Sequence, residues 1–177
     1  MSVAVVVGNP KARSRTLGVA LAAADAIGAC LEEPPGRLVV DLADVAAELF
    51  DPGSTTVTNL LRQVAASDVI IVASPTYKAT FTGLLKSFLD RYANDALAGT
   101  VGVAVMTGAA EIHALAPEVH LRPLLVELGS STPTKGLYVT ERQFEDLDNV
   151  IGAWATTARP LIEQALRREG RSNHTGH

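Results

Sequence analysis

Cysteine is nearly missing from these 177 residues: Cys30 stands alone. A lone cysteine rules out an internal disulfide and removes thiolate metal clusters and CxxC redox chemistry. No apolar run approaches the roughly 20 residues of a membrane-spanning helix, and no charged segment leading into an apolar stretch opens the sequence. A cytoplasmic protein that does not enter a membrane is expected. Basic excess is lacking too, because the formal net charge is −4, which argues against a broad nucleic-acid or anionic-lipid surface. Aromatic residues make up only 5%, so an aromatic in a polar loop stands out. GxGxxG and GxxxxGK[ST] are both absent after the first apolar run, and neither GxSxG nor HExxH occurs. His113 and His120 lie two helical turns apart, too far to share a metal directly, while His174 and His177 belong to a polar tail. No metal site and no protein acid, base or nucleophile is expected.

The most local absence is of acid. The first carboxylate in the chain is Asp25, yet "VAVVVGNPKARSRT", residues 3–16, packs Lys11, Arg13 and Arg15 between hydroxyls. A loop with that charge at the end of an apolar run points to a negative ligand.

What is present is a regular alternation of apolar runs and helical segments. Val3–Val7 reads as a buried strand closed by Gly8, whose freedom permits a tight exit, and Thr16–Cys30 as a helix. Leu38–Asp41 is a second strand and Asn59–Ala66 a helical stretch. "DVIIVASP" is the clearest buried strand, followed by a helix over Gly83–Tyr92. "TVGVAVMTG" is a fourth strand, His113–Leu128 a helix, "KGLYVT" a fifth strand, and Phe144–Arg168 a closing helix. Five strands that are apolar on both faces and separated by helices specify a parallel sheet covered on both sides. The fold class is α/β and doubly wound, with the common strand order 2-1-3-4-5. Residues 1–168 are expected to form one domain and 169–177 a frayed tail.

That order puts the ligand mouth at the carboxyl ends of strands 1, 3 and 4. In "GNPKARSRT", Ser14 and Thr16 place hydroxyls at a helix start, where unpaired N–H groups and the helix dipole suit one phosphate. The plain alternative is an N-cap beside solvated cations. In "ASPTYKATFTG", Pro75 presets the turn and Tyr77 offers an aromatic face to a planar ligand, although Tyr77 could equally pack its own loop. In "MTGAAEIH", Gly108, Ala109 and Ala110 let backbone approach a ligand closely. A phosphate site beside a planar slot, with no obvious catalytic side chain, suits a cofactor that carries the chemistry itself.

Together "GNPKARSRT", "SPTYKATFTGLLKSFLD" and "TGAAEIHALAPEVHLRPLL" resemble, in order and spacing, the motifs of the flavodoxin-like NADPH-dependent FMN reductases. The sulfonate-utilisation type, which supplies reduced flavin to a monooxygenase, is the most similar. The resemblance runs from Val3 to about Val139. It implies that Ser14 and Thr16, with Arg13 or nearby N–H groups, hold the FMN phosphate, that Pro75, Thr76 and Tyr77 line the ring, and that Thr107–Ala110 meets its pyrimidine end. Arg13, Arg15 and Lys78 are candidate partners for the 2′-phosphate of NADPH, with NADH as the alternative nucleotide. Asn9 stands where the family usually has Ser, and Ala109 where a second Gly is common. The resemblance also implies a homodimer or homotetramer through the helix over 83–92, whose Leu84, Leu85, Phe88, Leu89 and Tyr92 exceed one buried stripe. Near Pro117 it implies a widened π-type turn close to a subunit interface. A reductase that keeps its FMN and reduces quinones, azo dyes or metal ions, and a flavodoxin-type electron carrier, are the alternatives.

Overall fold

The computed structural model describes residues 1–28 and 36–172; Cys30 and the last five residues of the tail lie outside the described residues. Five parallel strands form one sheet: β1 (Ser2–Val7), β2 (Gly36–Asp41), β3 (Val69–Pro75), β4 (Val101–Gly108) and β5 (Leu137–Thr140), in the order β2-β1-β3-β4-β5. Alternation along β1 builds two cores at once. Val3, Val5 and Val7 point to one face with α1 (Arg15–Gly28) and α5 (Leu147–Ser172), while Ala4 and Val6 point to the other. That second face is covered by α2 (Thr55–Ala65), α3 (Gly83–Leu89) and α4 (Arg122–Glu127). Among the described residues no helix is long and apolar enough to cross a membrane.

Several boundaries differ from the sequence pattern for identifiable reasons. α2 starts at Thr55, four residues before Asn59, because Ser54 caps it by accepting the Val57 N–H at 3.1 Å. A 3₁₀ segment, Leu42–Glu48, follows β2 and is capped by the Asp41 carboxylate. The helix expected over His113–Leu128 is broken into a 3₁₀ turn at Glu111–His113, a π turn at Pro117–Leu121, and α4. The closing helix begins at Leu147, after a 3₁₀ segment held by a Thr140–Gln143 capping box, and continues beyond Arg168 to Ser172.

Three of the five apolar side chains of the 83–92 segment are fully used by the chain's own core and two are half-buried against it. Leu85, Phe88 and Leu89 are buried, and Leu84 and Tyr92 pack on the same core. The Tyr92 ring meets Phe88 edge-on and its hydroxyl donates to the Leu61 carbonyl at 2.9 Å; burial pushes that hydroxyl's pKa far up. Exposed apolar groups include Phe50, beside Ser87 and Asp90 of this segment and 82% exposed, and further along the chain Ile112, Leu115, Val119 and Val126, which are 84%, 68%, 56% and 57% exposed.

Candidate active site

The carboxyl ends of β1, β3 and β4 open onto a cleft of about 450 Å³. Its wall is built from Asn9, Lys11, Arg13, Ser14, Arg15 and Thr16 after β1, from Pro75, Thr76 and Tyr77 after β3, and from Thr107, Gly108 and Ala109 after β4. Lys78 and Ala110 stay outside this lining. Two residues without any signal in the sequence pattern join it, Glu141 and Phe144, from the segment after β5.

The first loop is shaped by its own polar groups. Asn9 Oδ1 accepts the Lys11 N–H at 2.9 Å, and Arg13 takes a left-handed conformation (φ 52°) with its N–H bound by Asp41 Oδ2 at 2.8 Å. Ser14 is buried at the head of α1, where its Oγ accepts the Leu17 N–H at 3.3 Å. The N–H groups of Arg15 and Thr16, in the first helical turn, have no intrahelical acceptor and face the loop of cations.

Thr16 and Arg15 are less available to a ligand than their spacing suggested. Thr16 is 2% exposed, and its hydroxyl receives the Asn9 Nδ2 donor at 3.1 Å and shares a hydrogen bond with Thr107 Oγ1 at 2.8 Å. Arg15 pairs with Glu141 at 3.0 Å while its guanidinium lies 4.9 Å from the centre of the Phe144 ring. Lys11 and Arg13 therefore remain as the cations of this wall without an ion pair among the described residues.

The second loop is a tight reversal. Tyr77 and Thr80 exchange backbone hydrogen bonds at 2.8 and 3.2 Å, and Lys78 and Ala79 both have positive φ (51° and 70°), the geometry of a type I′ turn made without glycine. Lys78, at the tip of this turn, is not part of the cleft lining, and Tyr77 is 51% exposed in it. Thr76 Oγ1 is buried and makes no hydrogen bond of good geometry. It lies close enough to the Tyr138 hydroxyl to lower that group's pKa, against the larger upward effect of burial and a further upward push from Glu111.

The third loop is a turn of small residues, and none of its backbone hydrogen bonds uses the N–H of Ala109 or Ala110. Unpaired donors on the first and third loops, a buried hydroxyl with no good partner and an exposed aromatic thus surround one cleft. A ligand with a phosphate at one end and a planar, acceptor-rich group at the other fits that donor set.

Comparison with known proteins agrees. The family model described as NADPH-dependent FMN reductase matches residues 1–145. An FMN reductase (NADPH) of Pseudomonas aeruginosa is 33% identical over 152 residues, covering 81% of this chain and 79% of that protein. The NADH-dependent FMN reductase SfnE of Pseudomonas putida is 29% identical over 174 residues, covering 94% of this chain and 91% of its own length. Among solved structures, an NADH:FMN oxidoreductase (EMOB) in its apo form superposes with a TM-score of 0.76 at 27% identity, covering 88% of this chain and 89% of that one.

Proposed function

This chain belongs to the NADPH-dependent FMN reductase family, and on that premise we propose that its cleft takes FMN as an exchangeable substrate and releases it, reduced, to a flavin-dependent monooxygenase. The enzyme is an oxidoreductase using NAD(P)H and FMN. Bound FMN supplies the hydride-accepting chemistry, so the protein's part is to bind, orient and exclude. Ser14 Oγ, the Arg13 side chain and the free N–H groups at the start of α1 hold the phosphate. Pro75, Thr76 and Tyr77 line the ring, and the Ala109 N–H donates to its polar edge, where it favours the charge gained on reduction. Thr16, Asn9 and Thr107, joined by hydrogen bonds, form the floor of the site.

The observation that carries the reading is the group of unsatisfied donors around one cleft, Thr76 Oγ1 among them. Exchange of the flavin is supported by the π turn at Pro117–Leu121, in the segment where the resemblance implies one, since such turns concentrate at functional sites. A cytoplasmic location accords with use of NAD(P)H. Assembly into a dimer or tetramer belongs to the same reading. The exposed apolar residues Ile112, Leu115, Val119 and Val126 support a second copy docking there, beside the 83–92 helix expected from the sequence.

Flavin titration tests the binding part. Arg13→Ala combined with Ser14→Ala should weaken FMN by about 1.5–3 kcal/mol, the range for a lost charge-assisted contact. Unchanged affinity in a folded double variant would refute the phosphate assignment.

A further inference from the structure

Tyr138 lies outside the cleft lining, yet it touches two of the loops that make the cleft. It sits on β5 opposite Met106 of β4, and its hydroxyl donates to the Ala110 carbonyl at 3.0 Å. The same hydroxyl lies directly against Gly108, where an added Cβ would come within 2.0 Å of it. Thr76 also borders this spot: its buried Oγ1 would lie 3.4 Å from the same Cβ, has no hydrogen bond of good geometry and is near enough to act on the phenol. One phenolic group thus stands between the loop after β3 and the turn after β4, anchored to a third strand.

We propose that Tyr138 is a positioning residue, whose hydroxyl ties the 108–110 turn to β5 through the Ala110 carbonyl and so fixes the direction in which the Ala109 N–H addresses the flavin. The inference rests on the reading of the cleft as the FMN site. Its chemical consequence follows from charge. Donors aimed at a ring that becomes anionic on reduction matter more to the reduced form than to the oxidised one, because charge-assisted hydrogen bonds are roughly twice as strong as neutral ones. Loosening the turn should therefore cost reduced FMN more affinity than oxidised FMN.

The test measures both dissociation constants, by flavin fluorescence for oxidised FMN and by anaerobic titration for reduced FMN, in wild type, Tyr138→Phe and Gly108→Ala. Tyr138→Phe keeps the ring and removes the hydroxyl; Gly108→Ala keeps the hydroxyl and displaces it. With both variants folded, as judged by thermal melts, oxidised FMN should weaken by about threefold and reduced FMN by about tenfold, the scale of one lost hydrogen bond counted in neutral and charge-assisted form. Equal weakening of the two forms, or no change in either variant, would overturn the positioning role while leaving the flavin site standing. A wild-type protein that binds neither form would overturn the site itself, and this inference with it.

Discussion

Ser14 and Thr16 look equivalent in the sequence, two hydroxyls flanking Arg15, but the fold gives them different work. Ser14 caps α1 and faces the cleft, whereas the Thr16 hydroxyl is spent on Asn9 and Thr107. Thr16→Val should consequently cost about 1–3 kcal/mol of stability, the penalty for leaving buried partners unpaired. It should lower FMN affinity less than Ser14→Ala does. Urea melts paired with flavin titration separate the two effects, and a Thr16→Val protein of full stability and impaired FMN binding would reverse the assignment. Gly8 makes a similar point. Its place after β1 suggested a conformational need, but the constraint is contact: an added Cβ would lie 2.3 Å from Leu85 Cβ and 2.9 Å from Leu85 Cα. Gly8→Ala should therefore destabilise by about 1–3 kcal/mol through overpacking of β1 against α3, read as a lowered urea midpoint. A midpoint equal to wild type would show that α3 can withdraw freely.

At the scale of elements, the strands were legible because each is an apolar run that a two-sided parallel sheet demands, and β3, buried at every position, was the clearest. The start of α2 was hidden by Thr55, Thr56, Val57 and Thr58, residues of modest helix propensity that a single serine cap overrides. The turn over Tyr77–Thr80 was hidden because its two left-handed positions carry Lys and Ala where Asn-Gly or Gly would announce it. Glu141 and Phe144 were invisible because they reach the cleft only through β5, far along the chain. The π turn was legible from Pro117 and the resemblance together, and its closure by the Arg122 N–H onto the Pro117 carbonyl is what the extra residue requires. That turn is fastened to the approach of β5. Glu118 accepts the Gly136 N–H at 2.6 Å and pairs with Arg122, which also donates to the Thr132 carbonyl at 2.7 Å. Burial raises the Glu118 pKa, but the Arg122 and Gly136 hydrogen bonds and the charges of Arg122 and Lys135 together outweigh it, leaving the carboxyl below its ordinary value. This contribution is complete above the ordinary glutamate value of about 4.3 and is lost as pH falls through the lower folded-state value. Glu118→Gln should accordingly flatten the acid limb of the stability curve against pH. An acid limb identical to wild type would detach Glu118 from the stability of this region.

For the whole molecule, the sheet order β2-β1-β3-β4-β5 places the switch point between β1 and β3, and the cleft follows from that topology before any side chain is considered. Assembly is the property least readable from the pattern, since a row of apolar residues on a helix reads alike whether it faces its own core or another chain. The row that stays exposed predicts the outcome: wild type should scatter light as a dimer or tetramer at micromolar concentration, and Leu115→Lys with Val119→Lys should shift it to a smaller species. A monomeric wild type would reject assembly, and an unshifted variant would reject this surface. The central claim is that FMN passes through the cleft as substrate, and NADPH and NADH oxidation in air with and without added FMN tests it most directly. The purified protein should be nearly colourless, and its nucleotide oxidation should rise with FMN and turn over many flavin equivalents per subunit. A yellow protein that keeps one FMN per chain through gel filtration and reduces a quinone without added flavin would contradict it.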